Sequence, residues 1–355
     1  MPSVPTVSDQ AWVTLATNDT YALGALVLAH SLSRARTSRA LVVMVAPQVS
    51  PGIREVLAEV YNEVKEVDVL DSRDEANLAL IQRPELGVTF TKLHCWRLGN
   101  YNKCVFLDAD TLVMQNCDEL FEHEELSAAP DCGWPDCFNS GVFVFCPNEQ
   151  TYQDLLNFAL SYGSFDGGDQ GLLNLFFHEW ARKDIKNHLP FVYNMVSTAA
   201  YSYLPAVKQF AKDVKIVHFL GSTKPWMHNF DPVAGQVTVK DAVESFSQGF
   251  LQTWWDIFAS DVLPRMSAGE HADLTHALGR LNLQSSSEVC SDEASADVKT
   301  EQERYAAWEK GQMDYMGTDS FANIQAKLDA AISTPKRAKS KSPEAEPEPD
   351  VEETT

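Results

Sequence analysis

The first seventy residues alternate between strand-like and helix-like segments, and this alternation constrains the fold more than any other feature of the sequence. Apolar runs bounded by turn residues predict strands, and amphipathic runs predict helices. The predicted strands are Trp12 to Ala16, Ala40 to Ala46 and Glu63 to Leu70, and the predicted helices are Tyr21 to Ser33 and Pro51 to Tyr61. Strands and helices that alternate in this way predict an α/β fold with a mainly parallel sheet covered by helices.

Two carboxylates follow a predicted buried strand in the middle of the chain. Asp108 and Asp110 come directly after the apolar run Lys103 to Leu107. We therefore expect them side by side at the carboxyl edge of the sheet, where open α/β sheets bind their ligands. A hard divalent cation that carries a diphosphate suits this pair. The Asp-x-Asp pattern is typical of nucleotide-sugar transferases, although three residues are short enough to occur by chance.

The polar residues after the first predicted strand belong to the same crevice. Thr17 and Asn18 follow that strand directly, and Tyr21 lies close behind them. Because the carboxyl ends of parallel strands meet at one edge of a sheet, these side chains should face Asp108 and Asp110.

His218 is the candidate for a third metal ligand. It lies near the end of the predicted strand Val214 to Phe219, and one imidazole beside two carboxylates favours manganese over magnesium. The alternative is a structural hydrogen-bonding histidine, and strand alternation puts His218 on the face of Ile216, which predicts partial burial. Lys224 follows in a loop, where its charge suits a phosphate group.

A glycine-rich turn at residues 163–171 carries two further carboxylates, Asp166 and Asp169, ahead of a predicted helix from Leu172 to Trp180. Glycines let a backbone approach a ligand closely. In glycosyl transfer, a carboxylate near the anomeric carbon stabilises the developing oxocarbenium ion, so both residues are candidates for that role. An equally open interpretation of Asp169 is an N-cap of the helix.

Four other polar residues have weaker local signals. Asn139 and Ser140 precede an apolar strand and could hydrogen-bond sugar hydroxyls, or could equally serve as cap or turn residues. Lys92 falls in a predicted amphipathic helix, and Arg83 is similar. The local pattern predicts solvated side chains for both.

Charge and composition exclude several classes of function. The 355 residues carry a formal net charge of -22, which argues against nucleic-acid binding because phosphate backbones need clustered cations. The apolar runs are too short to cross a bilayer, and residues 1–9 lack the pattern of a signal peptide. Seven cysteines without paired Cys-x-x-Cys units favour a reduced compartment over a zinc site or a disulfide framework. We therefore expect a cytoplasmic protein with no membrane contact.

Several motifs stand in order between Asp9 and Phe258 and together identify a family. They are Val13 to Asp19, Arg83 to Thr89, the segment around Lys92, Leu107 to Leu112, Trp134 to Phe143, Ser164 to Gly171 and Val217 to Gly221. In this combination the chain resembles the glycogenins, which are self-glucosylating enzymes within the retaining glycosyltransferases of family eight.

The resemblance implies a GT-A type transferase with a Rossmann-like, mainly parallel sheet over residues 9–265, after an extension at residues 1–8. It implies UDP-glucose as the donor and Mn²⁺, with Mg²⁺ as the alternative, held by Asp108, Asp110 and His218. The residues implied to bind UDP-glucose are Leu15, Thr17, Asn18, Tyr21, Arg83, Lys92, Asp108, Ala109, Asp110, Asn139, Ser140, Asp166, Asp169, Gln170, His218, Gly221 and Lys224. Lys92, Asp166 and Asp169 are also implied to assist catalysis.

The acceptor implied by the resemblance is part of the protein. The alignment points to Tyr201 rather than Tyr203 as the tyrosine that receives the first glucose, and later transfers extend an α-1,4-glucan primer for glycogen synthesis. Because a growing chain must keep reaching the site, transfer between the subunits of a homodimer is expected. An association with glycogen in the cytoplasm follows from the same resemblance.

The residues after the catalytic domain are predicted to form three segments. Residues 266–300 have the composition of a flexible linker, and the acidic, proline-rich residues 334–355 are predicted to be disordered. Between them, residues 301–333 carry spaced aromatic side chains and resemble the tail by which glycogenins bind glycogen synthase. The alternative is a helix folded back onto the catalytic domain.

Three functional questions stay open at the level of the sequence. Retention of configuration is compatible with front-face attack inside an ion pair or with double displacement through Asp169. A transferase acting on an external sugar or lipid acceptor would leave Tyr201 as a bystander. A weakly active scaffold that recruits glycogen synthase is a third possibility, although every acidic candidate is present.

Overall fold

The computed structural model describes residues 7–80, 83–197, 204–238, 248–268, 277–279, 281 and 283. All of them belong to the first of the two units into which the chain divides, Met1–Cys290 and Ser291–Thr355. The predicted acceptor Tyr201, the segment 301–333 and the tail 334–355 lie outside the described residues. The predicted boundaries of the segments stay predictions.

The described residues form the following strands and helices. The strands are β1 Val7–Ala16, β2 Arg39–Val45, β3 Glu63–Glu66, β4 Lys103–Leu107, β5 Thr111–Val113, β6 Ser127–Pro130, β7 Phe138–Phe145, β8 Met195–Val196, β9 Ile216–His218, β10 Asn229–Asp231 and β11 Gln236–Thr238. The α-helices are α1 Asp19–Arg34, α2 Pro51–Val60, α3 Glu75–Leu80, α4 Glu149–Tyr162, α5 Asp169–Phe176, α6 Leu204–Phe210, α7 Gln248–Ile257 and α8 Leu263–Ala268. A long 3₁₀ helix covers Pro84–Arg97.

The central sheet has six strands in the order β3-β2-β1-β4-β7-β6. The first four strands are parallel to their neighbours, whereas β7 and β6 run antiparallel. This arrangement confirms the predicted α/β fold with a mainly parallel sheet. Strands β2 and β3 lie on one side of β1 and β4 lies on the other, so the strand order reverses between β1 and β4. Ligands bind at such a reversal, outside the carboxyl ends of the two strands.

Both faces of the central sheet are covered, and β4 shows how. Val105 and Leu107 pack into the apolar cluster that includes α1, whereas Cys104 and Phe106 pack into a second cluster with the 3₁₀ helix Pro84–Arg97. Side chains alternate between the faces of a strand, so a strand buried on both sides needs an unbroken apolar run. The run before Asp108 meets this need and places Asp108 at the strand's end.

His218 belongs to a second, smaller sheet rather than to the central one. This sheet has the order β5-β9-β8, and β5 begins directly after Asp110. Thr111 pairs with His218 in the antiparallel ladder between β5 and β9. His218 does end its strand, as predicted, but it reaches Asp108 and Asp110 from the smaller sheet and not from a strand of the central one.

Two further boundaries differ from the prediction and both affect the site. Strand β7 begins at Phe138 because the side chain of Asn174 binds the backbone N–H and C=O of Phe138. Asn139 and Ser140 therefore lie inside a strand, and the cap or turn roles considered for them are wrong. Helix α5 runs from Asp169 to Phe176, whereas the sequence predicted Leu172 to Trp180. It begins earlier than predicted because the preceding turn supplies its cap. The predicted third strand is also shorter, ending at Glu66 rather than Leu70.

The helices of the described residues include none that is long and apolar enough to cross a membrane. The six described cysteines are free.

The close approach of α1 to the loop after β4 generates a stability prediction. A Cβ atom on Gly24 would lie 2.4 Å from the carbonyl oxygen of Ala109 and 2.5 Å from the Trp226 ring. We expect Gly24→Ala to lower the free energy of unfolding by about 1–3 kcal/mol, because overpacking outweighs the better helix propensity of alanine. Urea unfolding measures the change.

The matched control is Gly249→Ala in α7, where a Cβ would meet nothing within 4 Å. This variant should keep or slightly increase stability. Equal stabilities of the two variants would contradict the packing argument.

Candidate active site

A cavity of about 810 Å³ opens at the carboxyl ends of β1 and β4. Every residue that the resemblance implies for UDP-glucose binding lines this cavity, from Leu15 near the end of β1 to Lys224 after β9. The structure thus brings the predicted set together, while the role of each residue stays a prediction. Residues that the sequence did not single out line it too, among them Thr89, Asp131 and Gly141.

Asp108, Asp110 and His218 form a possible metal centre on one side of the cavity. Each offers one ligand atom, and these atoms all lie within 4.8 Å of one another. His218 Nε2 lies 3.4 Å from Asp110 Oδ1 and 4.0 Å from Asp108 Oδ2. Asp110 and His218 are buried, whereas Asp108 is partly exposed to the cavity. Two carboxylates and one imidazole suit a divalent cation of the manganese or magnesium type.

A glycine makes room for the His218 ring. Gly141 lies in β7, and a Cβ atom there would lie 2.2 Å from His218 Cε1 and 2.6 Å from Nδ1. The imidazole therefore lies flat against the backbone of the central sheet. The carbonyl oxygen of Gly141 also accepts a hydrogen bond from the backbone N–H of Asp108 at 2.9 Å, so Gly141 contacts two of the three possible ligands.

Lys92 is the charged centre between the possible metal ligands and the glycine-rich turn. Its Nζ lies 2.9 Å from Asp108 Oδ1 and 2.6 Å from Asp169 Oδ2, and it donates to the Ser140 carbonyl oxygen at 3.1 Å. Burial alone would lower the pKa of Lys92, but the two carboxylates outweigh that effect and raise the pKa above its usual range. Lys92 therefore stays charged.

The solvated position that the local pattern predicted for Lys92 is wrong. The side chain is 3 % exposed and lies in the 3₁₀ helix Pro84–Arg97. Because a 3₁₀ helix has about three residues per turn rather than 3.6, an α-helical projection assigns the faces of this segment incorrectly. Arg83, just before this helix, lines the cavity.

Lys224 is a second buried cation, and it contacts the possible metal ligand Asp110. Its Nζ pairs with Asp110 Oδ2 and donates to the Phe219 carbonyl oxygen at 3.2 Å. Burial would raise the pKa of Asp110, but the Lys224 ammonium beside it outweighs burial and holds that pKa well below its usual range. Asp110 is therefore a carboxylate, the form that can bind a cation.

Asp166 organises the glycine-rich turn. Its Oδ1 accepts hydrogen bonds from the Ser164 hydroxyl at 2.8 Å and from the backbone N–H groups of Gly168 and Gly171 at 2.9 and 3.0 Å. These bonds satisfy the N–H groups at the start of α5, so Asp166 performs the capping that was considered for Asp169. The N-cap position itself is Gly168.

Asp169 is the first residue of α5 and points its carboxylate at charged and polar groups. Oδ2 pairs with Lys92 and accepts a hydrogen bond from the Ser140 hydroxyl at 2.8 Å. Its backbone N–H donates to Thr89 Oγ1 at 3.0 Å. The helix dipole of α5 further favours a negative charge at this position. Asp169 is thus held as a buried carboxylate at the cavity wall.

Asp131, which the sequence did not single out, orients two predicted sugar contacts. Its Oδ2 accepts from Asn139 Nδ2 at 2.9 Å and from Gln170 Nε2 at 3.1 Å. Gln170 Oε1 in turn accepts from the backbone N–H of Ser140 at 3.2 Å. The signal in the sequence was weak, since Asp131 merely follows the short strand β6 ahead of the Trp134 motif.

The opposite end of the cavity is formed by the residues after β1. Asn18 Oδ1 accepts from the backbone N–H of Tyr21 at 3.1 Å and thereby caps α1. The Tyr21 ring packs edge-on against Trp226, with ring centroids 5.2 Å apart. Gly221 has a φ of +118°, a conformation that favours glycine, in the loop that leads to Lys224.

Comparison with known proteins assigns the family. A model described as glycosyl transferase family 8 matches residues 12–229. Glycogenin-1 of Mus musculus is 54% identical over 334 residues, which cover 92% of this chain and 100% of that protein. The chain belongs to the glycogenins of this family. Glycogenin-1 of Homo sapiens is 51% identical over 349 residues, again covering 92% of this chain and 100% of that protein.

A solved structure shows the same fold at low sequence identity. The crystal structure of the galactosyltransferase LgtC in complex with donor and acceptor sugar analogues superposes with a TM-score of 0.50 and 17% identity. The match covers 75% of this chain and 99% of that one. Together with the family assignment, this likeness confirms the predicted GT-A type fold, and the protein is a glycosyltransferase.

The contact between Gly141 and His218 generates a test of the possible metal centre. We expect Gly141→Ala to weaken Mn²⁺ binding at least about tenfold, because the new methyl group must displace the imidazole. Electron paramagnetic resonance of free Mn²⁺ measures the affinity. Gly99→Ala is the control, since a Cβ there meets nothing within 4 Å. Unchanged Mn²⁺ binding in Gly141→Ala would contradict the assignment of His218 as a ligand.

Proposed function

We propose that this glycogenin family member transfers glucose from UDP-glucose to its own Tyr201 and then extends an α-1,4-glucan primer for glycogen synthesis. The observation that carries the proposal is the position of Lys92 between Asp108 and Asp169, because it joins a possible metal centre to a carboxylate suited to glycosyl transfer. Membership of the glycogenins supports glucose as the sugar and the protein itself as the acceptor.

We assign the divalent cation to Asp108, Asp110 and His218, with Mn²⁺ favoured and Mg²⁺ possible. When bound, the cation supplies positive charge that stabilises the diphosphate as a leaving group. Lys224 adds a second positive charge on the same side of the cavity. These groups compensate for the strong negative charge of the chain, which would otherwise repel a nucleotide diphosphate.

The sugar side of the cavity stabilises the opposite charge. As the bond between the anomeric carbon and the diphosphate oxygen breaks, positive charge develops on the sugar. Asp169 is a buried carboxylate whose Oδ2 is fixed by Lys92 and Ser140, so it can stabilise that charge without reorganising. The Tyr201 oxygen forms the new bond to the anomeric carbon, with release of UDP and one proton.

The path of the chain is consistent with an acceptor at Tyr201. Val196 lines the cavity, and the backbone N–H of Ser197 donates to the His218 carbonyl oxygen at 2.9 Å. Tyr201 follows four residues after Ser197. The described chain thus reaches the cavity wall, beside a possible metal ligand, four residues before the proposed acceptor.

Self-glucosylation is tested by intact-mass measurement. Purified protein incubated with UDP-glucose and Mn²⁺ should gain a series of hexose increments, and Tyr201→Phe should gain none because the acceptor oxygen is missing. The matched control is Tyr203→Phe, which should keep the series. An unchanged series in Tyr201→Phe would exclude this acceptor, and no series in the wild type would exclude self-glucosylation altogether.

We further propose that residues 301–333 bind glycogen synthase, that the enzyme acts as a homodimer, and that it works in the cytoplasm in association with glycogen. The segment carries Tyr305, Trp308, Tyr315 and Phe321 as spaced aromatic anchors beyond the residue-266–300 linker. Aromatic side chains supply most of the energy where a linear segment lies in a groove of its partner.

The partner proposal is tested by pull-down of glycogen synthase with the full-length chain. Trp308→Ala together with Tyr315→Ala should reduce capture at least about tenfold, because buried aromatic anchors contribute about 2 kcal/mol or more each. Asp110→Ala should lose transfer but keep capture, which separates the two roles. Equal capture by the double variant and the wild type would remove this segment as the binding site.

A further inference from the structure

A chain of hydrogen bonds runs from the sugar side of the cavity to the far side of the His218 ring. Asn139 Nδ2 donates to Asp131 Oδ2 at 2.9 Å, and Asn194 Nδ2 donates to Asn139 Oδ1 at 2.8 Å. Asn194 Oδ1 then lies 3.0 Å from His218 Nδ1. Asn139, Asn194 and His218 are all buried, with at most 2 % of each residue exposed.

The donor and the acceptor of each hydrogen bond in this series are the same whichever way the nitrogen and oxygen of the amide groups are assigned. Asn139 lies between Asp131, whose carboxylate only accepts, and the backbone N–H of Gly141, which only donates at 3.0 Å. The amide nitrogen of Asn139 must therefore face Asp131, and its oxygen must face Gly141. That oxygen can only accept, so the group of Asn194 that faces it must be the amide nitrogen.

The same hydrogen-bonding rules decide which nitrogen of the His218 ring carries a proton. With its nitrogen turned to Asn139, Asn194 presents its oxygen to His218, and an oxygen only accepts. His218 Nδ1 must then carry a proton, so in the neutral imidazole Nε2 has the lone pair. Nε2 is the ring atom that faces Asp108 and Asp110.

We propose that Asn194, anchored through Asn139 by Asp131, is a positioning residue that holds His218 in the tautomer able to bind a cation through Nε2. This inference rests on the proposed metal centre and extends it to Asn194 and Asp131, which no motif suggested. Groups that orient a metal-binding histidine through its second nitrogen raise metal affinity, and their loss commonly costs tenfold to a hundredfold. Asp131 also binds Gln170, so the sugar side of the cavity and the metal ligand share one anchor.

The first test measures the tautomer directly in the full-length chain. Nitrogen-15 chemical shifts of the histidine rings, recorded without metal at about pH 8.5 where an ordinary imidazole is neutral, distinguish a protonated from an unprotonated nitrogen. The His218 signals are identified by their loss in His218→Gln. We expect a protonated Nδ1 and an unprotonated Nε2. A proton on Nε2, or an average of both tautomers, would overturn the proposal.

The second test compares variants by Mn²⁺ affinity alone, without UDP-glucose. Asn194→Leu removes the acceptor and should weaken Mn²⁺ binding about tenfold to a hundredfold. Asn194→Asp keeps an acceptor for Nδ1 but loses the donor to Asn139 Oδ1, so it should retain the Nδ1 proton and bind Mn²⁺ more tightly than Asn194→Leu, within about tenfold of the wild type. Asn187→Leu is the matched control, since Asn187 is a buried amide that bonds Leu126 and Ser127 away from the chain of bonds.

The outcomes separate this inference from the proposed function. Unchanged Mn²⁺ affinity in a folded Asn194→Leu variant, or an equal loss in Asn187→Leu, would show that Asn194 has only a structural role. If Asn194→Leu does not fold, the wild-type tautomer and the Asn194→Asp affinity decide. A wild type that binds Mn²⁺ with the expected tautomer but gains no hexose would reject self-glucosylation and leave the positioning role intact.

Discussion

The contact of Lys92 with Asp108 and Asp169 is the interaction on which the rest of the site depends. Asp108 follows a strand of the central sheet, Asp169 begins a helix, and Lys92 comes from a 3₁₀ helix, so one ammonium group joins three elements. Without that charge, the carboxylates of Asp108 and Asp169 would lose the cation that they share. Removing one partner of such a buried set commonly costs about 3–5 kcal/mol. Lys92 thus supports the fold and the chemistry together.

Charge is distributed unevenly in this protein, because two buried lysines lie at one cavity of a strongly acidic chain. The chain has 50 acidic and 28 basic residues, yet two of its lysines, Lys92 and Lys224, are buried against the carboxylates of one cavity. Both therefore interact at short range in a medium that screens them weakly. A few enclosed cations can thus bind an anionic nucleotide although the chain as a whole is strongly acidic.

Sequence patterns predicted the parts of the site that depend on local structure. Asp108 and Asp110 could be placed because a buried strand must end where its apolar run ends. Lys92 could not be placed by periodicity, because the pattern of a 3₁₀ helix was interpreted as that of an α-helix. Asn194 gave no signal, since it meets Asn139 only through folding, across 55 residues of sequence. The sequence predicted His218 at a strand end beside Asp108 and Asp110. It did not show that this strand belongs to the smaller sheet.

The smaller sheet also fixes the position of His218, a candidate cation ligand, at the cavity wall. Strand β5 starts beside Asp110, β9 ends at His218, and β8 pairs Val196 with His218 before the chain continues toward Tyr201. The backbone ladder therefore fixes His218 against Val196, which lines the cavity. Strand pairing can shift only by whole residues, about 3.3 Å at a time, and each shift turns side chains to the other face. The position of His218 relative to Val196 can thus change only in steps of whole residues, which are too coarse for gradual drift.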